Sequence, residues 1–415
     1  MENLLDITLI ILALLGLASV MLEEVIHVNK AQSVLFFGCL SWVLLFIYAD
    51  KQTHDVGAGL QENIGEIAGL WLFLLAAMTF VVYLNKKGMI ETLIYRVLPR
   101  EITEKRLLLL TGAFAFIFSS LADNITATLI SITLILSLNL PTRKMLRFAT
   151  LVVFAVNSGG VAMITGDVTT LMIFLADKVS ITHLLMLSLP AAVAVAVLAL
   201  MLSRPLTETV QITGKQQPTQ TVDLAIAGVF LLTIISTIMG NVLFDIPPVL
   251  SFLTGLSVMF LLARAFGEDT ENHPILNYIR HIEFDTLMFF LGILLLVGAL
   301  KEIHALDTFV RLYDLLPAWL ANYLMGLLSA LIDNVPLTAA LLKADVSMSL
   351  AEWLSLTYAV GVGGSLLVIG SAAGIVAMSK INELTFGTYL RYVVPLLIAY
   401  SVGYSAVLLL GSQLG

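Results

Sequence analysis

Twice in this chain an aspartate and an asparagine stand side by side inside a stretch otherwise apolar enough for a membrane: Asp123-Asn124 within residues 106–140, and Asp333-Asn334 within residues 318–343. A carboxylate at membrane depth is costly unless it faces a cavity or a partner, so both are read as functional before they are read as packing. Ser119, Ser120 and Thr126 surround the first pair, Ser329 and Thr338 the second, and Pro336 prevents one helix from running through the second break. A third acid, Asp167, closes the stretch Asn157-Ser158-Gly159-Gly160 to Thr165-Gly166-Asp167. In the later stretch 361–376, Gly363-Gly364 aligns with Gly159-Gly160, and Ser371 stands where Asp167 did. Glycine permits a helix to unwind, and an unwound helix inside a membrane offers carbonyl and side-chain oxygens to whatever fills the space. Carboxylates and neutral oxygens of this kind suit a proton or a small cation. Asp123, Asp167 and Asp333 would repel an anion, and no Lys or Arg is expected inside a span to neutralise one.

These residues need elements that hold them at mid-membrane. The first half, residues 1–203, predicts spans near 4–22, 31–49 and 66–84, the broken segment 106–140, a second broken segment 147–178, and a span near 182–203. The second half, residues 222–415, predicts the same series: 222–240, 247–265, 284–301, broken segments 318–343 and 352–380, and a last span 387–411. Between them RPLTETVQITGKQQPTQT (204–221) reads as a cytoplasmic polar linker. Local echoes support duplication, since the stretch from Glu66 resembles that from Glu283, and TLIYRVLP (92–99) resembles TFVRLYDLLP (308–317). The two LP-ended stretches are amphipathic and are expected at the membrane surface. Glu66 and Glu283 each open a span, where an acid suits the helix dipole.

Composition excludes several classes. With 59% hydrophobic and 12% charged residues, the chain carries more apolar surface than one soluble core needs. Its net charge of -8 and scattered basic residues are no nucleic-acid footprint. Cys39 is the single cysteine, so no internal disulfide forms. If segments 106–140 and 318–343 turn back as re-entrant hairpins, the 21 Lys and Arg divide 16 against 5 across the membrane; if each crosses once, the division is 12 against 9. The positive-inside rule favours the hairpins, with both termini extracytoplasmic, and an odd number of crossings per half makes the repeats inverted. The expected fold is therefore an all-α polytopic membrane protein of two inverted repeats, each with a re-entrant helical hairpin and an unwound transmembrane helix.

The tips ADNITAT and IDNVPLT, the stretch NSGGVAMITGDVTT and the early EEVIHVNKA (23–31) resemble the NhaD-type sodium/proton antiporters of the ion-transporter superfamily. The resemblance implies hairpins and unwound helices meeting at a mid-membrane site. It assigns Asp123, Asn124 and Thr126 to the first tip, Asp333, Asn334 and Thr338 to the second, Asn157, Asp167, Thr169 and Thr170 to the first unwound helix, and Ser365 and Ser371 to the second. It implies Na+ at Asp123, Asp167 and Asp333, with Na+, Li+ and H+ as transported ions, no cofactor, and a role in pH homeostasis at the cell inner membrane. The partners expected are the bilayer and monovalent cations, with a homodimer compatible and no nucleic acid. Related carboxylate carriers place Ser-Asn-Thr at the tips, and the Asp-Asn tips here argue for a cation. A sodium-coupled dicarboxylate or citrate carrier, an arsenite transporter, and an intramembrane carboxylate enzyme or channel remain alternatives. Blander roles also stay open: Asn124 and Asn334 as helix caps, Asp167 as the cap of residues 168–176, and the paired glycines as packing contacts.

Overall fold

Every polar break is a helix end in the computed structural model, which describes residues 2–21, 28–49, 55–90, 92, 99, 101–138, 140–211, 220–265 and 278–413. Helices α1 (Glu2–Met21), α2 (Lys30–Tyr48) and α3 (Val56–Lys86) lead to α4 (Glu104–Leu121) and α5 (Asn124–Ser137), which flank the first Asp-Asn break. Then α6 (Thr142–Gly160) and α7 (Val168–Leu175) flank the glycine break, and α8 (Ile181–Met186) with α9 (Ser188–Ser203) closes the half. The order recurs in α10 (Thr221–Phe244), α11 (Pro248–Ala265), α12 (Phe284–Glu302), the connecting α13 (Asp307–Leu315), α14 (Ala318–Ser329), α15 (Asn334–Lys343), α16 (Leu350–Gly363) and α17 (Ala372–Lys380). Last come α18 (Phe386–Tyr389) and α19 (Val393–Gly411).

Seven helical stretches among the described residues are long and apolar enough to cross a membrane: α2, α3, α8 with α9, α10, α11, α12, and α18 with α19. This is a multi-pass membrane protein. Its helical character has one amendment, a two-stranded antiparallel ribbon that pairs β1 (Glu101–Thr103) with β2 (Thr209–Gln211). The linker thus contains a short strand, because β1 offers its backbone an edge to pair with; residues 212–219 lie outside the described region. So do residues 23–27 of the EEVIHVNKA stretch and 93–98 of the first LP-ended stretch. The third span starts at Val56, so Glu66 sits well inside α3 and ion-pairs with Lys343 instead of opening the helix.

The breaks have local causes. Asp123 is extended (φ -66, ψ 156), and its carboxylate accepts from the Thr126 N–H, so α5 starts anew behind it. Asp333 caps α15 in the same way through the Val335 N–H. Pro336 falls in the first turn of α15, where its missing N–H has no intrahelical partner to lose. Asp167 and Ser371 are the caps of α7 and α17. The glycines serve packing as well as unwinding. A Cβ on Gly159 would run into the Phe116 carbonyl, and one on Gly363 into the Gly326 carbonyl, so α6 crosses α4 and α16 crosses α14 at backbone distance. Ser119 donates to Val156 O at 2.8 Å and Ser329 donates to Val360 O at 2.7 Å, which ties each crossing by a matching hydroxyl.

Packing sorts the helices into two bodies. α1, α2, α3, α10, α11 and α12 pack on one another; α4 to α9 and α14 to α19 form the other body, and the main contacts between bodies are α12 with α15 and α8 with α10. Within the second body the halves cross over: α5 of the first break lies on α17, and α15 of the second break lies on α7. Charges collect far apart along α3. Glu66 meets Lys343 in its first half, and Lys87 meets Asp223 (3.3 Å) just past its end. At 1.5 Å per residue the 21 steps from Glu66 to Lys87 span roughly 30 Å, the thickness of a bilayer's hydrocarbon core.

Candidate cation site

The crossover of the two halves brings their breaks to one cavity of about 290 Å³, lined by Asp123, Asn124, Asn157, Asp167, Asp333, Asn334 and Ser371, and by Asn29, Lys30, Asp285, Thr286 and Phe289 from the other body. Asp167 is its buried centre, 6% exposed. One carboxylate oxygen accepts from the Thr169 N–H at 3.0 Å, and the other accepts from Asn334 Nδ2 at 3.3 Å, so the acid of one half is held by the amide of the other. A second contact between the halves runs from Asn157, whose Nδ2 donates to Val153 O (2.8 Å) and to Ser371 Oγ (3.1 Å).

Asn124 completes the arrangement. Its surroundings are satisfied when Nδ2 donates to Val156 O (3.3 Å), Gly166 O (3.0 Å) and Ser119 Oγ (2.7 Å). The same amide group stands beside the Asp167 carboxylate. Asn157 Oδ1 and Thr169 Oγ1, both fully buried, lack a hydrogen-bond partner. A buried polar atom without a partner is uncommon, and here the shortfall is in acceptors next to a carboxylate, the donor set a hard monovalent cation takes.

Chain-wide similarity points the same way. A profile of the citrate transporter family (CitMHS) matches residues 1–363. The Na+/H+ antiporter NhaD of Vibrio cholerae is 32% identical over 434 aligned residues, covering 95% of this chain and 89% of that protein. NhaD of Alkalimonas amylolytica is 31% identical over 95% of this chain and 88% of its own, and sodium/proton antiporter 1 of Arabidopsis thaliana is 31% identical over 97% and 72%. The chain belongs to the citrate transporter family, in its NhaD group.

In this NhaD-group chain the sequence-derived residues divide in three. Asp123, Asn124, Asn157, Asp167, Asp333, Asn334 and Ser371 line the cavity. Thr126, Thr170, Thr338 and Ser365 do not. Their hydroxyls are given to Asp123 Oδ2 (2.8 Å), Gly160 O (3.5 Å), Asn334 O (2.8 Å) and Val362 O (2.6 Å) respectively, the usual fate of a hydroxyl beside helical carbonyls. Thr169 lies between these groups, outside the lining but with its buried hydroxyl unpartnered. The three aspartates also do not converge on one point as a shared Na+ cage. Among the described residues no three acidic, His or Cys side chains lie close enough to hold one ion, because each aspartate is bound to the first turn of its own helix. Capping accordingly falls to the acids, which leaves Asn124 and Asn334 at the first helical position with their amides turned to the cavity.

The sequence pattern missed what the other body adds. Lys30 Nζ lies 3.7 Å from Asp333 Oδ2, so a basic group does reach the site. Asn29 Nδ2 donates to Asp285 Oδ2 at 3.0 Å, and Glu283 Oε2 accepts from Thr286 Oγ1 at 3.2 Å. Lys30 stands at the end of an apolar run in the sequence and looks there like a membrane-edge charge; only the packing of α2 against α12 turns it inward.

Proposed function

We infer that the protein is a secondary antiporter exchanging Na+, and Li+ with it, for H+ by competition at Asp167 and the oxygens around it. The observation that carries this reading is the buried Asp167 carboxylate in a cavity shared by both halves, next to the unpartnered Asn157 Oδ1 and Thr169 Oγ1. A proton on Asp167 neutralises the buried carboxylate, and a cation among the same oxygens compensates it without the proton. The two ions exclude each other, which couples their gradients. Asp123, in the same cavity, is the second carboxylate. Leaving it ionised beside a bound monovalent cation would cost several kcal/mol, so it is expected to release or take up a proton with each cation and make the exchange electrogenic.

Citrate is the cargo that the family profile's description names, yet this cavity carries Asp123, Asp167, Asp285 and Asp333 against Lys30, a balance that suits a cation. Everted membrane vesicles separate the readings. Added NaCl is expected to dissipate a preset pH gradient, and in potassium-loaded vesicles with valinomycin the rate is expected to follow the imposed potential. Citrate-dependent uptake with no response to NaCl would overturn antiport, and indifference to the potential would leave Asp167 as the one exchanging acid.

We also propose that α4–α5 and α14–α15 are re-entrant hairpins entering from opposite sides of the membrane in two inverted repeats, with both termini extracytoplasmic. The matching order of the two halves and the division of basic residues support this. Arg143 and Ser347 are exposed at the bases of the two pairs. In a Cys39→Ser background, Arg143→Cys and Ser347→Cys are expected to react with an impermeant maleimide from opposite sides; labelling from one side would refute the inverted arrangement.

A further inference from the structure

Lys30 is the single basic side chain among the described residues lining the cavity, and its placement runs against local preference. It is the first residue of α2, where the helix dipole disfavours a cation. Two groups outside its own helix help to hold it there, Asp333 Oδ2 at 3.7 Å and the face of Phe289 at 4.9 Å. Lys30 and Phe289 belong to one packing body, whereas Asp333 belongs to the tip of the other. The pair is partly desolvated, with side-chain exposures of 21% and 10%, and the other oxygen of Asp333 caps α15.

We propose that Lys30 is a tethered cation that holds the Asp333 carboxylate while no transported ion is bound and must leave it when one arrives. This rests on the antiport reading above. An arriving Na+ brings one positive charge to an Asp333 carboxylate already compensated by the ammonium, and the flexible four-carbon stem lets that ammonium withdraw toward the Phe289 face. When Na+ leaves, the ammonium returns and keeps Asp333 compensated through the empty half of the cycle. Lys30 thereby lowers the apparent affinity for Na+ and raises the rate at which the emptied carrier resets. It is a positioning residue that acts through Asp333.

The test uses purified protein in liposomes, following Na+-driven proton release for wild type, Lys30→Gln, Lys30→Arg, Asp333→Asn and the Lys30→Gln/Asp333→Asn double variant. Lys30→Gln is expected to lower the half-saturating Na+ concentration about fivefold, the size of a modest ion-pair competition, while the maximal rate falls. Lys30→Arg keeps the charge and is expected to recover most of that rate. In the Asp333→Asn background, Lys30→Gln is expected to change the half-saturation no further. An unchanged or raised half-saturation in Lys30→Gln, or an equal shift with and without Asp333, overturns the proposal. If Lys30→Gln does not fold, the ratio of Lys30→Arg to wild type decides: a half-saturation more than tenfold lower with Arg contradicts competition by the retained charge. Absence of Na+-driven release in the wild type is a separate failure, that of the antiport reading itself.

Discussion

Asp167→Asn is expected to abolish Na+-driven proton release while leaving the protein folded. The substituted amide oxygen still accepts from the Thr169 N–H, so the cap of α7 survives, and Asn334 can turn its amide to meet the new Nδ2. What disappears is the charge. A buried cation deprived of its carboxylate loses on the order of 3–5 kcal/mol, about a hundredfold or more in affinity. The check pairs transport in reconstituted vesicles with a melting curve in detergent. Normal melting with no exchange assigns Asp167 to the chemistry, whereas exchange near wild-type rates would reduce Asp167 to a helix cap. Asp167→Ser sharpens the comparison because Ser371 already caps α17 with a hydroxyl, so serine is a tested occupant of this backbone geometry.

Gly363→Val is expected to cost most of the folded protein. The added Cβ would strike the Gly326 carbonyl, and that obstacle is backbone, so no side chain can rotate out of its way. Overpacking a core typically costs about 1–3 kcal/mol, and separating α14 from α16 would also strain the bond from Ser329 to Val360 O. Gly228→Val is the control, since nothing lies within 4 Å of a Cβ there. Fluorescence-detected size exclusion after heating is expected to show a large loss for Gly363→Val and none for Gly228→Val. Equal melting of the two would mean that the close crossing is dispensable.

The sequence disclosed the breaks because a membrane makes polar interruptions conspicuous: Asp123, Asp167 and Asp333 each stand in runs of Leu, Ile and Val, and each is a helix cap in the folded chain. It also disclosed which segments carry the cavity, since the glycine pairs and the serine opposite Asp167 align between halves. Three things were out of reach. That capping falls to the acids and not to the asparagines turns on one residue of backbone geometry, finer than any hydrophobic pattern. That Thr338 and Ser365 spend their hydroxyls on carbonyls depends on side-chain rotation. That Lys30 and Asp285 join the site depends on how two helix bundles meet, which nothing local encodes.

Among the ion pairs the two bodies share are Lys30 with Asp333 and Lys343 with Glu66, and in neither is both members' burial complete; Glu66 is half exposed. The half-exposed Lys343–Glu66 pair is screened by electrolyte, over about 8 Å at physiological ionic strength and about 3 Å at 1 M. Rising sodium chloride therefore reaches this protein in two capacities: as the ion to be carried, and as the solvent property that loosens the fastening between the bundles that carry it.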